Sequence, residues 1–446
     1  GQTAPGNGVV IKNAGIEIAT HDVVIRGMRV RVGGSPEGAN PRYRDGIRIS
    51  AEGCDTRTQA CVEPYNVVLD HNSISWAVDE NLSIWGAARD ITLSWNIISE
   101  GLNCSIHRDG CHSMGLLVGP EVHNISVHHN FMAHHTDRSP HLYTGFSGEL
   151  VNNVFYDWGW AATHLGGCDH APEAPSRINM IGNYYRVGPS TYAFADDGNT
   201  INNAILFEGC WRNAAVYLRD NLGPQRGGEE LVSDWALASN GSLPGERSDA
   251  PVLPLSDVSV LPVNDTLDQV LATVGAIAPQ RDAVDQRVID QFQAYSGGLI
   301  DSERDVEAWD DYASVSLSYT DTDQDGMPDV YERSVGLNPN DPSDTHDIAA
   351  GELYGNIERY LDYRMYNALP TEGATPGEEP PMAPSEDVPA ELHDETPPVS
   401  GDNPDETAGT IPHFRSGKYD IIALALLLGL ICIKVCIYRR KRRKKS

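Results

Sequence analysis

Positive charge is scarce in this chain. Its 446 residues hold 33 Lys and Arg against 63 Asp and Glu, a formal charge of −30. Seven of the basic residues fall in Arg439 to Lys445, which leaves 26 against 63, or −37, for everything before them. Such a surface excludes nucleic acid as a partner, because that binding needs Lys and Arg to neutralise phosphates. It repels any other polyanion too, unless a metal ion bridges the pair. Solubility accounts for most of the acidic side chains. An initiator methionine and an apolar leader core are also missing from Gly1-Gln2-Thr3-Ala4-Pro5-Gly6. The N-terminus is therefore expected to be truncated, and the missing leader does not argue for the cytosol. Helical periodicity is poor before residue 222, which disfavours a helical bundle. Asn-Gly turns between paired runs are scarce, which weighs against an antiparallel sandwich.

What is present instead is a coil. Short β-rich runs recur, among them Val23-Val24-Ile25-Arg26, Asn66-Val67-Val68-Leu69, Asp90-Ile91-Thr92-Leu93 and Asn124-Ile125-Ser126-Val127. Asparagines follow them at Asn72, Asn96, Asn130, Asn153, Asn183 and Asn221, with spacings of 24, 34, 23, 30 and 38. A repeat of about two dozen residues with inserted loops predicts a parallel β-helix, in which each rung covers the apolar edge of the next. Asparagines at equivalent turns would then form a hydrogen-bonded ladder inside it.

Cysteines are few and paired by position. Cys54 with Cys61 and Cys104 with Cys111 close short loops and suit disulfides in an oxidising compartment. Cys168 and Cys210 remain as the third pair, and Cys432 with Cys436 sits in an apolar segment. Sequons at Asn81, Asn103, Asn124, Asn240 and Asn264 permit glycosylation in a eukaryotic host. Leu267 to Phe292 reads as one or two amphipathic helices packed on the coil.

Asp321-Thr322-Asp323-Gln324-Asp325-Gly326-Met327-Pro328-Asp329-Val330-Tyr331-Glu332 places acids at loop positions 1, 3, 5, 9 and 12 with glycine at 6. That is the EF-hand ligand pattern, and it predicts one structural Ca²⁺ site held by Asp321, Asp323, Asp325, Asp329 and Glu332. Tyr354 to Tyr363 reads as a closing helix. The expected organisation is a β-helix over 1–315, a calcium module over 316–366, and a disordered acidic Pro-rich linker over 367–419. An apolar span over 420–438 and a basic cytoplasmic tail over 439–446 follow. The positive-inside rule puts the main domain at the extracellular face, anchored by a single pass; a cleaved sorting or lipid-anchor signal on a secreted chain is the alternative.

One stretch, His134-His135-Thr136-Asp137-Arg138-Ser139-Pro140, brings an arginine behind two widely spaced aspartates, Asp45 and Asp79. Together with Asp45-Gly-Ile-Arg-Ile, Leu69 to Glu80, Ile98 to Asn103, His112-Ser-Met-Gly115, Val151-Asn-Asn-Val154 and Arg281-Asp-Ala-Val-Asp285, it resembles the family 1 pectate lyases. The calcium loop followed by Gly336-Leu-Asn-Pro339 resembles the secreted fungal and bacterial members. The apolar tail is no part of that pattern. The resemblance implies an all-β, right-handed parallel β-helix. It further implies Ca²⁺-dependent eliminative cleavage of α-1,4-galacturonan, a polygalacturonate (pectin) substrate, and a monomeric enzyme.

By motif, Asp45 and Asp79 take the calcium positions and Arg138 that of the catalytic base. The family's second acid, four residues after Asp79, is Ser83 here. Glu80 is the neighbour that could compensate, yet strand alternation would point it to the opposite face, leaving a weaker metal site or one completed by the substrate carboxylate. Two further basic positions have become His141 and Tyr143, and a lysine expected before Gly115 is absent, leaving His112 nearest. His112, His141 and Tyr143 are thus the candidate substrate-binding residues, with Glu100 and His107 weaker ones; Asp70 and His71 are expected to stabilise a turn. Arginine normally stays protonated, so its use as a base needs a site built for it. The bland alternative is a loop arginine in a salt bridge. Two other functions compete: a polyuronate-binding protein without turnover, which Ser83, His141 and Tyr143 favour, and a hydrolase, which would need paired carboxylates flanking the scissile bond.

Overall fold

The computed structural model describes residues 1–6, 8–51, 62–170, 174–194, 203–224, 226, 233–238, 245–306, 319–349 and 351–370. Cys54, Cys61, Asn240, the acidic segment from 371 onward, the 420–438 span, Cys432, Cys436 and the basic tail lie outside them. Among the described residues no helix is long and apolar enough to cross a membrane.

Three parallel sheets form the body. Each full coil gives one strand to each sheet, as in Ser73–Ser75, Glu80–Ile84 and Arg89–Ser94. The register is what the repeat demands: Ile25, Leu69, Leu93, Val127, Leu150, Met180 and Leu218 stack one above another through the third sheet. From Leu69 onward these side chains are buried, so each aliphatic group is removed from water by the rungs on either side.

The asparagine ladder is continuous. Asn72 N donates to Asn96 Oδ1, Asn96 N to Asn130 Oδ1, Asn130 N to Asn153 Oδ1, Asn153 N to Asn183 Oδ1 and Asn183 N to Asn221 Oδ1, all at 2.9–3.0 Å. Its ends are closed by groups the spacing did not show. Met28 N donates to Asn72 Oδ1, and Asp234 Oδ2 accepts from Asn221 N.

Two helices, Val263–Thr273 and Ala283–Ala294, lie on the outer face of the first sheet. Their Val270, Val274, Val288, Ile289 and Phe292 pack on Ile97, Phe131, Val154 and Tyr156. At the second helix's N-terminus, Asp282 and Asp285 reach the buried Arg31 guanidinium at 2.9 and 2.8 Å. The Arg281-to-Asp285 motif is therefore a clamp that fixes helix to sheet.

The segment that carries the Asp321–Glu332 loop includes helices Asp329–Val335 and Asn356–Tyr366, with Met327, Tyr331 and Tyr360 as its own small core. It docks through Arg26–Asp362 at 3.0 Å, Gln2 Nε2 donating to Leu361 O, and Tyr366 edge-on to His71. Asp70 accepts from Arg26 and Ser94 beneath that contact, so Asp70 and His71 do hold a turn. Disulfides join Cys104 to Cys111 and Cys168 to Cys210. One sequon expectation is corrected: Asn81 is fully buried, with Nδ2 donating to Ser99 O at 2.8 Å, so no glycan can be carried there.

Candidate active site and metal centre

The site is assembled on the second sheet. Asp45 lies two residues before strand Ile47–Ile49, and Asp79 immediately precedes its neighbour, strand Glu80–Ile84. The two aspartates meet because both rungs enter the sheet at the same level. Ser83 pairs in register with Arg48, and its hydroxyl donates to Asp45 Oδ2 at 2.5 Å.

Glu80 corrects the alternation argument. Asp79 lies in the bend before the strand, so the strand's two-residue period does not relate it to Glu80. The Glu80 carboxylate turns to the same side as Asp79, is buried, and accepts from Arg138 Nη1. Asp45, Asp79 and Glu80 each offer an oxygen within 4.8 Å of the others'.

Their electrostatics match their crowding. Burial raises the Asp45 carboxyl well above its usual range, with Glu80 and Asp79 adding to it. Burial likewise pushes Asp79 up to about 6. Glu80 is raised by burial, against the pull of Arg138. Asp45 Oδ1 is buried and accepts no hydrogen bond within the protein. Three carboxylates at this separation fit a hard cation, since oxygen ligands about 2.3–2.6 Å from an ion stand up to roughly 5 Å apart.

Arg138 sits with φ of +66°, a left-handed conformation that recurs at turns of this coil such as His71, Trp95 and His129. Its guanidinium, about a fifth exposed, spans from the loop to Glu80. Burial works against its charge, but Glu80 and Asp137 outweigh that and hold it more firmly protonated than usual. Arg138 is thus salt-bridged, and its partner carboxylate belongs to the cluster.

His112 Nε2 stands 2.9 Å from Asp79 Oδ1 and His107 Nε2 stands 3.6 Å from it, the rings stacked at 4.0 Å. The Cys104–Cys111 disulfide closes the loop that carries His107 and leads into His112. Asp79, His107 and His112 likewise offer ligand atoms within 4.8 Å of one another, so a histidine nitrogen stands beside the oxygen set.

His141 and Tyr143 lie further along the sheet. His141 is buried, stacked on His164 at 4.0 Å and 5°. Tyr143 is half-buried, edge-on to Trp85 and close to His170. His164 escaped the sequence reading, together with its partners Asp137 at 3.2 Å and Glu208 at 3.3 Å. The signal was there: His164 is 23 residues after His141, one coil, and pairs with it in register. Glu100 is not in the site. Arg287 grips both its oxygens and Trp76 Nε1 donates to it, within the wall that holds the outer helices.

In the calcium loop, Asp321, Asp323 and Asp325 converge. Both oxygens of Asp323 and of Glu332 are buried and without a hydrogen-bond donor, so the donor set fits a cation. Burial, with Asp323 and Asp325 close by, pushes the Glu332 carboxyl up to about 8. Asp329 is committed elsewhere: it accepts from Thr322 N and Oγ1 at 2.8 and 2.9 Å and from Arg333, closing the loop on itself.

No protein-family model matches the chain. It is similar to the probable pectate lyase C of Aspergillus flavus, 30% identical over 344 residues that take in 76% of this chain and 72% of that protein. It is similar also to the probable pectate lyase C of Aspergillus fumigatus, 32% identical over 375 residues, 83% of this chain and 78% of that protein. Among solved structures, a pectate lyase bound to hexasaccharide matches with a TM-score of 0.41 at 16% identity. That match covers 61% of this chain and 65% of the other, just under two thirds of its length.

Proposed function

The chain belongs to the pectate lyases, which are polysaccharide lyases, and from that premise we propose that it cleaves polygalacturonate by Ca²⁺-dependent β-elimination. The observation that carries the reading is the convergence of Asp45, Asp79 and Glu80 on one point, with Arg138 bound to the last of them. These three carboxylates would hold the ion, which when bound neutralises a uronate carboxylate and so acidifies the adjacent C5–H.

The protein's own side chains do the rest. Arg138, after giving a proton to solvent, takes the C5 proton, the C5–H electrons form the C4=C5 double bond, and the C4–O bond breaks, the leaving glycosidic oxygen taking up a proton from solvent. The products are 4,5-unsaturated oligogalacturonides, with no water consumed. His112 and Tyr143, beside the cluster and along the sheet, contact the saccharide. His141, whose ring nitrogens have no hydrogen-bond partner, does so from beneath. A hydrolase is disfavoured because the acids that accompany Arg138 are gathered into one cluster, not set on opposite sides of a bond.

The ion pair between Arg138 and Glu80 favours a second reading, a polyuronate-binding protein without turnover. Absorbance of unsaturated product from polygalacturonate, with calcium and with chelator, separates the two. Calcium-dependent absorbance supports the lyase; binding without any product supports the alternative.

The Asp321 loop is proposed as a second, structural calcium site. The apolar stretch 421–438 is proposed to hold the enzyme at the outer face of the cell, where a polymer too large to cross a membrane is met. Protease added to intact cells would then remove the lyase domain and spare the tail, whereas full-length protein in the medium would favour secretion.

A further inference from the structure

Glu80 has two claimants. Its carboxylate accepts from Arg138 Nη1, and it also supplies an oxygen to the cluster shared with Asp45 and Asp79. The carboxylate is buried, so water cannot easily stand in for either claimant. A divalent cation among the three acids and a guanidinium on the same carboxylate are like charges a few ångströms apart in a poorly screened place, where their repulsion is strong. Ser83 stands where a fourth acid would otherwise serve the cation, and its hydroxyl bonds Asp45 instead.

We propose that Glu80 couples cation binding to Arg138: the ion and the guanidinium compete for one carboxylate, and occupancy by the ion frees the arginine to face substrate. Glu80 is a positioning residue in this scheme, acting on the reaction through Arg138. The base is thereby released only at a site already able to polarise the uronate. Such coupling is reciprocal, so Arg138 must weaken cation binding by the factor with which the cation weakens the Arg138–Glu80 pair. The inference rests on the reading of Asp45, Asp79 and Glu80 as a cation site.

Calcium titration calorimetry on the full chain tests it. The relevant isotherm is the one that Asp79→Asn weakens, which separates it from that of the Asp321 loop. Arg138→Gln is expected to tighten this isotherm by about tenfold, the factor a single charge-assisted hydrogen bond is worth. In a Glu80→Gln background the gain should shrink, because no pair remains to be broken. Through-space repulsion alone would give the same gain in both backgrounds, and that result overturns the coupling, as does no gain at all. An isotherm indifferent to Asp79→Asn and Asp45→Asn would instead remove the cation site and the inference with it. A second measurement needs no variant: phenylglyoxal labelling of Arg138 in the wild-type chain, followed by peptide mapping. Labelling should quicken severalfold on saturation with calcium; an unchanged or slower rate overturns the proposal.

Discussion

Ser83 on one rung donates a 2.5 Å hydrogen bond to Asp45 on the next, filling with a hydroxyl the place where the family pattern has a carboxylate. The carboxylate cluster contains three acids, Asp45, Asp79 and Glu80, the last of them shared with Arg138. Ser83→Asp adds a ligand charge beside Asp45 and is expected to tighten calcium binding on the order of tenfold, since affinity follows ligand charge count. Without the ion the same change crowds a fourth carboxylate into a site where burial already raises the Asp45 and Asp79 pKa values. The variant should melt below wild type in chelator and above it in calcium. Equal melting curves in both conditions would place residue 83 outside the metal's reach.

Arg138→Ala removes the proposed base and the partner of Glu80. Loss of a positioned base lowers turnover by about 10²- to 10⁴-fold, and kcat should fall by at least that while the protein stays folded, because the side chain contributes nothing to the coil's apolar interior. Arg138→Lys should rescue little, since lysine lacks the span and the planar fork. Wild-type turnover in a purified, folded Arg138→Ala would remove arginine from the chemistry.

His164 makes stability depend on pH. Burial opposes its charge, but Asp137 and Glu208 outweigh burial and raise its pKa to about 9; stacked His141 stays neutral, burial pushing it down to about 3. A raised folded pKa means that the imidazolium's contribution is complete below about 6.5, its unfolded value. It is then lost as pH climbs through about 9. That contribution is at most about 3 kcal/mol. His164→Gln should flatten the fall in melting temperature between pH 6.5 and 9.5. Parallel curves for variant and wild type would mean that the ion pairs with Asp137 and Glu208 do not form in solution.

The coil was legible because its rule is repetitive: an asparagine per turn and an aliphatic row leave periodic marks that loops stretch without erasing. Asp45, Asp79 and Arg138 were legible as motif positions. Glu80 was not, since its direction depends on where the strand begins, and a one-residue shift reverses alternation. His164 needed the coil length to be applied across inserted loops, which fold-level stacking supplies and local pattern does not. Asp329 misled for another reason, because an acid at loop position 9 satisfies the spacing whether it faces an ion or the backbone of Thr322.

The Asp321 loop should matter for stability and not for chemistry, because among the described residues its module touches Gln2, Arg26 and His71 and none of the Asp45 cluster. Glu332→Gln should abolish the stabilisation that calcium gives the module. For an ion at a hundred times its Kd that linkage is about 2.7 kcal/mol. Asp329→Asn should lower melting in chelator as well, since it weakens the bonds to Thr322. Turnover of folded protein should be unchanged in both. If Glu332→Gln melts as wild type does in saturating calcium, the loop is not a metal site.

The ladder offers the sharpest test of the fold's energetics. Asn130 Nδ2 donates to Leu93 O at 2.8 Å and to Asn153 Oδ1 at 3.0 Å, while its Oδ1 accepts from Asn96 N and Nδ2 at 2.9 and 3.0 Å. The side chain is fully buried, so water cannot replace it. Asn130→Ala leaves Asn96 N without its acceptor and takes a donor from Leu93 O, while Asn96 Nδ2 keeps Leu69 O, at about 1–3 kcal/mol for each group left buried and unsatisfied. A loss of roughly 3–5 kcal/mol in urea unfolding is expected, at the severe end for single substitutions. Asn130→Asp should restore the acceptor at neutral pH but bury a charge and remove both donors, so it should do no better. Exposed Asn124, which bonds Asp90 at 2.6 Å on the outside of the coil, is the control; its φ of +56° strains alanine, so its alanine variant should lose about 1 kcal/mol. Were Asn130→Ala as mild as Asn124→Ala, the ladder would be a consequence of the stacking and not one of its causes.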